Sequence, residues 1–116
     1  MGYPMAKNLL KSGYKLKAFN RSQGKAERLK EFGAVVSTSI KDAVTKSDII
    51  ITMLTDDTAV EKVMGSSEFI KNIKSNATVI DMSSINPLIS KKYAEILKEK
   101  NINYLDAPVS GGTIGA

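Results

Sequence analysis

Strand patterns and helix patterns alternate along the whole chain, and this alternation limits the folds that the chain can adopt. The clearest strand segment, residues 49–54, is an almost continuous apolar run that is rich in β-branched side chains. Such a run is typical of a strand that is buried on both faces of a parallel sheet. Because strands and helices alternate on either side of it, the sequence predicts an α/β fold with a doubly wound parallel sheet.

Local signals set the bounds of the predicted elements. Gly13 and Gly33 stand where the first two helices should end, and Asn86 and Pro87 stand where the last helix should begin. Strands are predicted at residues 16–19, 35–36, 49–54, 78–82 and 102–105. Helices are predicted around residues 5–10, 26–32, 40–44, 60–64, 69–73 and 87–97.

The chain opens with a helix, whereas a doubly wound nucleotide-binding fold normally opens with the strand that becomes its central one. Gly2, close before Pro4 and this helix, is typical of the last glycine in a G-x-G-x-x-G turn. We therefore expect Met1 to be an internal methionine and residues 1–116 to be a partial domain, truncated at both ends. Without its first strand, such a piece is expected to fold poorly alone, because two strands would have unpaired edges.

Composition excludes several classes of function. The chain has no cysteine and no histidine, which removes thiol nucleophiles, disulfides and the commonest general base and metal ligand. Asp56 and Asp57 lack a third ligand, so no metal site is expected. The net charge is +5, but the lysines are spread over all the predicted helices and aromatic residues make up only 6%, which argues against nucleic acid as a partner. No membrane span or signal peptide is visible, so a cytoplasmic protein is expected.

The segment Asn20-Arg21-Ser22 follows a predicted strand about 20 residues after Gly2, where a dinucleotide-binding fold contacts the adenosine ribose. An aspartate there would accept hydrogen bonds from the ribose of NAD and would repel the 2′-phosphate of NADP. An amide, a guanidinium and a hydroxyl instead suit a phosphate dianion. The alternative is that Asn20 and Ser22 cap the next helix and that Arg21 is solvated.

Two further loops follow strands at the sheet edge where open parallel sheets bind ligands. The backbone of Leu54 and Thr55 is expected to contact a cofactor, although the same loop also suits a helix N-cap formed by Asp56, Asp57 or Thr58. In the second loop, Ser83 or Ser84 is placed to bond a ribose or a carboxamide, or only to cap the loop.

The last eleven residues combine a serine with three glycines. Ser110 precedes Gly111 and Gly112, and Gly115 lies one turn further on. Glycine lets the backbone approach a ligand closely, and a serine hydroxyl among free N–H groups binds a carboxylate or a developing oxyanion. The segment is therefore a candidate substrate site.

Taken together, these segments resemble the cofactor domain of the β-hydroxyacid dehydrogenases, the 3-hydroxyisobutyrate dehydrogenase family. The likeness covers the whole chain in the right order, and the final motif is the most specific. The matching pieces are MGYPMAKNLL to the end of G-L-G-x-M-G-x-x-M-A, NRS to N-R-[ST], the Met53-Leu54 pair to M-L, DMSSINP to D-x-S-[ST]-x-x-P, and DAPVSGGTIGA to D-A-P-V-S-G-G-x-x-G-A. Ser84 departs from the commoner threonine but keeps the hydroxyl.

The resemblance implies a Rossmann-type domain of an NADP-dependent oxidoreductase, with NAD as an alternative cofactor. A small hydroxyacid or semialdehyde would be the substrate, and the full-length protein would form a homo-oligomer. Proton transfer would belong to a lysine of a second, all-helical domain. Ser110 would have the catalytic role of orienting the substrate. The substrate-binding residues would be Ser110, Gly111 and Gly112, and the cofactor-binding residues would be Met1, Gly2, Asn20, Arg21, Ser22, Met53, Leu54, Thr55 and Ser84.

Two other functions stay open at this point. One is a non-catalytic relative that uses the fold for nucleotide binding or oligomerisation. The other is an imine reductase, in which the lysine is replaced. Both depend on residues that follow Ala116 in a longer chain.

Overall fold

A computed structural model describes all residues from Met1 to Ala116. The chain divides into two compact units, which are described separately: Met1–Ala43 with Ser110–Ala116, and Val44–Val109. Five strands are formed: β1 Lys17–Ala18, β2 Val35–Val36, β3 Ile49–Thr52, β4 Thr78–Asp81 and β5 Asn103–Asp106. Seven helices are formed: α1 Gly2–Lys11, α2 Gln23–Glu27, α3 Ile40–Val44, α4 Asp57–Met64, α5 Ser67–Asn72, α6 Pro87–Lys98 and α7 Gly112–Gly115.

The first unit contains a two-stranded parallel sheet in which β1 pairs with β2. Gly13 follows α1 with φ of 91°, and Gly33 follows a 3-10 turn, Lys30–Phe32, with φ of 97°. Glycine adopts these left-handed conformations without the strain of a side chain. Both glycines therefore end their helices where the sequence predicts.

The second unit contains a three-stranded parallel sheet in the order β3-β4-β5. Ile50 lies opposite Val79, and Val79 lies opposite Tyr104. Helices connect β3 to β4 and β4 to β5, and parallel crossovers of one hand place their helices on one face of the sheet. The core lies on that face, where α6 packs against β5 and α4. Its most buried apolar side chains are Val60, Met64, Phe69, Val79, Tyr93 and Leu97.

The expectation that residues 49–54 are buried on both faces of the sheet is wrong. Ile50 and Thr52 are buried, but Ile49 is 60% exposed and Ile51 is 39% exposed. Leu105 lies in register on the same face as Ile51 and is also exposed. The helical crossovers cover only the other face, so an apolar run indicates a strand here without indicating that both its faces are covered.

Candidate functional site

In the second unit, a buried chain of hydrogen bonds joins the carboxyl ends of β3 and β4. The Thr52 hydroxyl donates to Asp81 Oδ1 at 2.8 Å, and the Ser83 backbone N–H donates to the same oxygen at 3.1 Å. The Leu54 backbone N–H then donates to the Ser83 hydroxyl oxygen at 2.9 Å. Asp81 and Ser83 are fully buried. These bonds hold the two strand-end loops beside each other.

The residues that follow this chain of bonds are accessible. Thr55 and Ser84 are exposed, and Met53 and Leu54 are half-buried. Hydroxyl groups and backbone amides at the carboxyl edge of a parallel sheet are suitable partners for a ribose or a carboxamide. The second unit therefore offers a polar edge whose donors and acceptors suit the nicotinamide end of a dinucleotide.

The helix-cap alternative for the first loop is confirmed for one of its residues. Asp56 is the N-cap of α4 and accepts a 2.8 Å hydrogen bond from the Ala59 backbone N–H. Asp57 accepts a 3.0 Å bond from the Asn86 N–H and so joins the two loops a second time. Asp56 is thus engaged in capping, and its other carboxylate oxygen, Oδ2, accepts a 3.4 Å hydrogen bond from the exposed Thr55 hydroxyl.

One buried side-chain oxygen of this site, Asp81 Oδ2, has no hydrogen-bond partner. The buried hydroxyls of Ser90 and Tyr104 lie close to each other. Burial raises the pKa of the Tyr104 phenol above its ordinary value, the nearby Ser90 hydroxyl lowers it, and Asp81 and Asp106 raise it further. The phenol is therefore neutral at physiological pH.

In the first unit, the segment Asn20-Arg21-Ser22 forms the turn between β1 and α2. The Asn20 side-chain amide donates a 2.9 Å hydrogen bond to the Ser22 carbonyl. Ser22 is the N-cap of α2, but its hydroxyl makes no capping hydrogen bond. Arg21 is exposed and forms no ion pair. The turn thus presents a free guanidinium and a hydroxyl, a donor set that suits a phosphate.

The start of α1 also lacks side-chain acceptors. Met1 is its N-cap and makes no side-chain capping bond, and the first turn contains no acidic residue. Gly2 is exposed. The N–H groups at the beginning of a helix carry a partial positive charge, which an anionic pyrophosphate would complement.

The glycine-rich segment in the first unit adopts a conformation that requires glycine. Gly111 and Gly112 have φ of 111° and 63°, and they lead into the short helix α7. Ser110, just before them, is exposed. The segment is thus partly helical and not entirely a loop, but its serine and backbone amides remain accessible.

The predicted site residues divide between the two units. Met53, Leu54, Thr55 and Ser84 lie on the two adjacent loops of the second unit, and the others belong to the first unit. Sequence reasoning missed Thr52 and Asp81, and it did not separate the buried Ser83 from the exposed Ser84. A polar residue at the last position of each neighbouring strand was the signal that could have identified Thr52 and Asp81.

The family model for the NAD binding domain of 6-phosphogluconate dehydrogenase matches residues 1–116. The chain belongs to this family, and its fold is the Rossmann-like α/β fold with parallel sheets. The expected family and fold class are therefore confirmed.

Curated relatives match the chain over its whole length. It is 43% identical to the oxidoreductase YkwC of Bacillus subtilis and 39% identical to the human mitochondrial 3-hydroxyisobutyrate dehydrogenase. The chain spans 41% and 34% of the length of these two proteins. It is thus similar to one part of each.

Solved structures also match the whole chain, or nearly all of it, with only part of their own length. The 3-hydroxyisobutyrate dehydrogenase of Mycobacterium tuberculosis aligns with a TM-score of 0.93 at 29% identity, over 100% of this chain and 39% of that one. An imine reductase from Myxococcus stipitatus in complex with NADP⁺ aligns with a TM-score of 0.90 at 25% identity, over 98% of this chain and 39% of that one.

No helix of the chain is both long and apolar enough to cross a membrane.

Proposed function

We propose that the chain binds NADP(H) in an oxidoreductase that interconverts a small β-hydroxyacid and its semialdehyde or keto acid. The observation that carries this proposal is the buried link between the ends of β3 and β4, which leaves Thr55 and Ser84 accessible at the edge of the sheet. Family membership and the names of the relatives support the class of reaction.

Leu54, Thr55 and Ser84 bind the nicotinamide ribose and carboxamide, with Met53 beside them. In the first unit, Arg21 binds the 2′-phosphate together with Asn20 and Ser22, and the helix start at Met1 and Gly2 faces the pyrophosphate. The bound nicotinamide supplies the hydride chemistry at its C4 carbon.

Ser110 is proposed to orient the substrate. Its hydroxyl and the N–H groups of Gly111 and Gly112 bind the substrate carboxylate or hydroxyl, which fixes the reacting carbon. The positive φ values of both glycines turn the backbone in a way that a larger residue would resist. The proposed partners are therefore small anionic molecules. We also propose that the full-length protein works in the cytoplasm as a homo-oligomer.

Reduction of an imine is a second candidate, favoured by the structural similarity to an imine reductase. NAD is the alternative cofactor, in agreement with the description of the matching family. A role in nucleotide binding without catalysis is the third candidate.

A reductase panel on the full-length protein separates these candidates. NADPH and NADH are each offered with glyoxylate, with succinic, tartronate and methylmalonate semialdehydes, and with a cyclic imine, and oxidation is followed at 340 nm. We expect turnover of one acid substrate with NADPH. Turnover of the imine alone would support the second candidate, and cofactor binding without any turnover would support the third.

A further inference from the structure

We infer that Asp81 and Ser83 are positioning residues, which set the two strand-end loops at the spacing that the nicotinamide end of the cofactor requires. The inference rests on the proposed function and adds to it the residues that hold the site in shape. Neither residue is accessible to a ligand, because both have no exposed surface.

The main-chain ladder between β3 and β4 ends before the proposed contact residues. Its last hydrogen bond runs from the Met82 N–H to the Thr52 carbonyl at 2.9 Å. Past this point the Leu54 N–H bonds to the Ser83 hydroxyl and not to a backbone carbonyl. The Ser83 side chain therefore extends the link between the two loops up to Leu54 and Ser83. Thr55 and Ser84 are the residues that follow directly.

Asp81 fixes Ser83 in place. Asp81 Oδ1 accepts from the Ser83 N–H and from the Thr52 hydroxyl, so one oxygen ties the second loop to the end of the neighbouring strand. The bonds run from Thr52 through Asp81 and Ser83 to Leu54. A shift of about 1 Å in either loop would misplace the groups beyond it, and errors of that size strongly reduce the efficiency of hydride transfer.

Stability alone does not account for a carboxylate at this position. Asp81 Oδ2 is buried without a hydrogen-bond partner, and a buried unpaired polar atom destabilises the folded state. Oδ1, in contrast, accepts two hydrogen bonds, from the Thr52 hydroxyl and the Ser83 N–H. The bond from the Ser83 N–H orders the second loop, which is the effect expected of a residue that sets the geometry of the site.

The test measures cofactor binding in the full-length protein with Ser83→Ala. The probes are NADPH or NADH, whichever binds wild type more tightly, and the matching adenosine-side fragment, 2′,5′-ADP or ADP. We expect the dinucleotide to bind about tenfold more weakly, as loss of one hydrogen bond to a fixed loop implies. The fragment, which lacks the nicotinamide end, should bind within about twofold of wild type.

Three further variants control for a merely structural effect. Ser90→Ala removes another buried serine hydroxyl of the second unit, one that makes no hydrogen bond to either strand-end loop, and should leave both affinities unchanged. Asp81→Asn keeps an acceptor for both donors and should lose less dinucleotide affinity than Asp81→Ala. Amide hydrogen exchange at Leu54 should accelerate in Ser83→Ala, because its N–H loses its acceptor.

The outcomes separate the inference from the proposed function. Equal weakening of dinucleotide and fragment in Ser83→Ala, or no weakening of either, would overturn the positioning role while the proposed function stands. If wild type binds neither NADPH nor NADH, the proposed function fails, and the inference fails with it.

Discussion

The Tyr93 hydroxyl donates a 3.0 Å hydrogen bond to Glu61 Oε2 and thereby joins α6 to α4. Lys92 donates to the same carboxylate oxygen, also at 3.0 Å. The bonds from Lys92 and Tyr93 hold the pKa of Glu61 below its ordinary value of 4.5. Glu61 raises the pKa of Lys92, and burial together with the bond to Glu61 raises the pKa of Tyr93. The three side chains therefore stabilise together the state in which Glu61 is ionised, Lys92 is protonated and Tyr93 is neutral.

This cluster predicts how stability depends on pH. Because the folded-state pKa of Glu61 is lowered, its contribution is present above pH 4.5 and is lost as the pH falls through the lowered value. The raised pKa values of Lys92 and Tyr93 act in the opposite direction: their contributions are present below the ordinary values of 10.5 and 10.0 and are lost as the pH rises through the raised values. Glu61→Gln should lower the melting temperature at pH 7.

The measurement is a series of thermal melts of wild type and Glu61→Gln from pH 3 to pH 8. The difference between the two proteins should shrink as the pH falls below 4.5 and through the lowered pKa of the native Glu61 carboxyl. Glu68→Gln is the control, because Glu68 is an exposed acid in α5 that forms no ion pair. A difference that is constant across this range would contradict the assignment.

Gly65 is predicted to tolerate no side chain. A Cβ atom there would lie 2.5 Å from the Glu61 carbonyl oxygen and 2.9 Å from the Tyr93 hydroxyl. Gly65→Ala should therefore lower the free energy of unfolding by about 1–3 kcal/mol, the usual cost of overpacking. Gly24 in α2 has an ordinary backbone and no atom within 4 Å of such a Cβ. Gly24→Ala should instead raise the free energy of unfolding by about 0.4–1 kcal/mol. Urea denaturation of the two variants and wild type measures both changes.

Tyr104 and Tyr93 are predicted to respond differently to loss of the hydroxyl group. The buried Tyr104 hydroxyl has only the Ser90 hydroxyl close to it, so Tyr104→Phe should change the free energy of unfolding by no more than about 1 kcal/mol. Tyr93→Phe removes the bond to Glu61 and should lower it. Urea denaturation of both variants checks the contrast. A larger destabilisation by Tyr104→Phe would mean that its hydroxyl has a further partner in solution.

Local signals in the sequence were sufficient for most of the fold. Asn86 caps α6 as predicted, with its side chain accepting a 2.9 Å bond from the Leu88 N–H. Gly13 and Gly33 end their helices because a left-handed residue is needed at each. These features depend on neighbours only a few residues away, so they can be deduced without knowledge of tertiary contacts. The β-branched residues of β2, β3 and β4 predict those strands for the same reason.

Features that depend on packing between distant segments could not be deduced. The exposed face formed by Ile49 and Ile51 depends on which side of the sheet the crossovers cover. Ser83 and Ser84 are adjacent and chemically identical, and only the bonds to Leu54 and Asp81 separate the buried serine from the exposed one. Sequence motifs indicate the candidate cofactor residues, whereas the buried residues that hold their loops are recognised only by their hydrogen bonds in the folded chain.

The choice between NADP and NAD is predicted to depend on Arg21. Its guanidinium is exposed and unpaired beside the Ser22 hydroxyl, and charge-assisted bonds from it to a 2′-phosphate would contribute about 1.5–3 kcal/mol. In the full-length protein, Arg21→Asp should therefore weaken NADPH by about 10- to 100-fold and NADH much less, as measured by titration calorimetry. Lys25→Asp makes the same change of charge within α2 and should affect both cofactors only slightly. Equal losses for NADPH and NADH in Arg21→Asp would exclude the phosphate role.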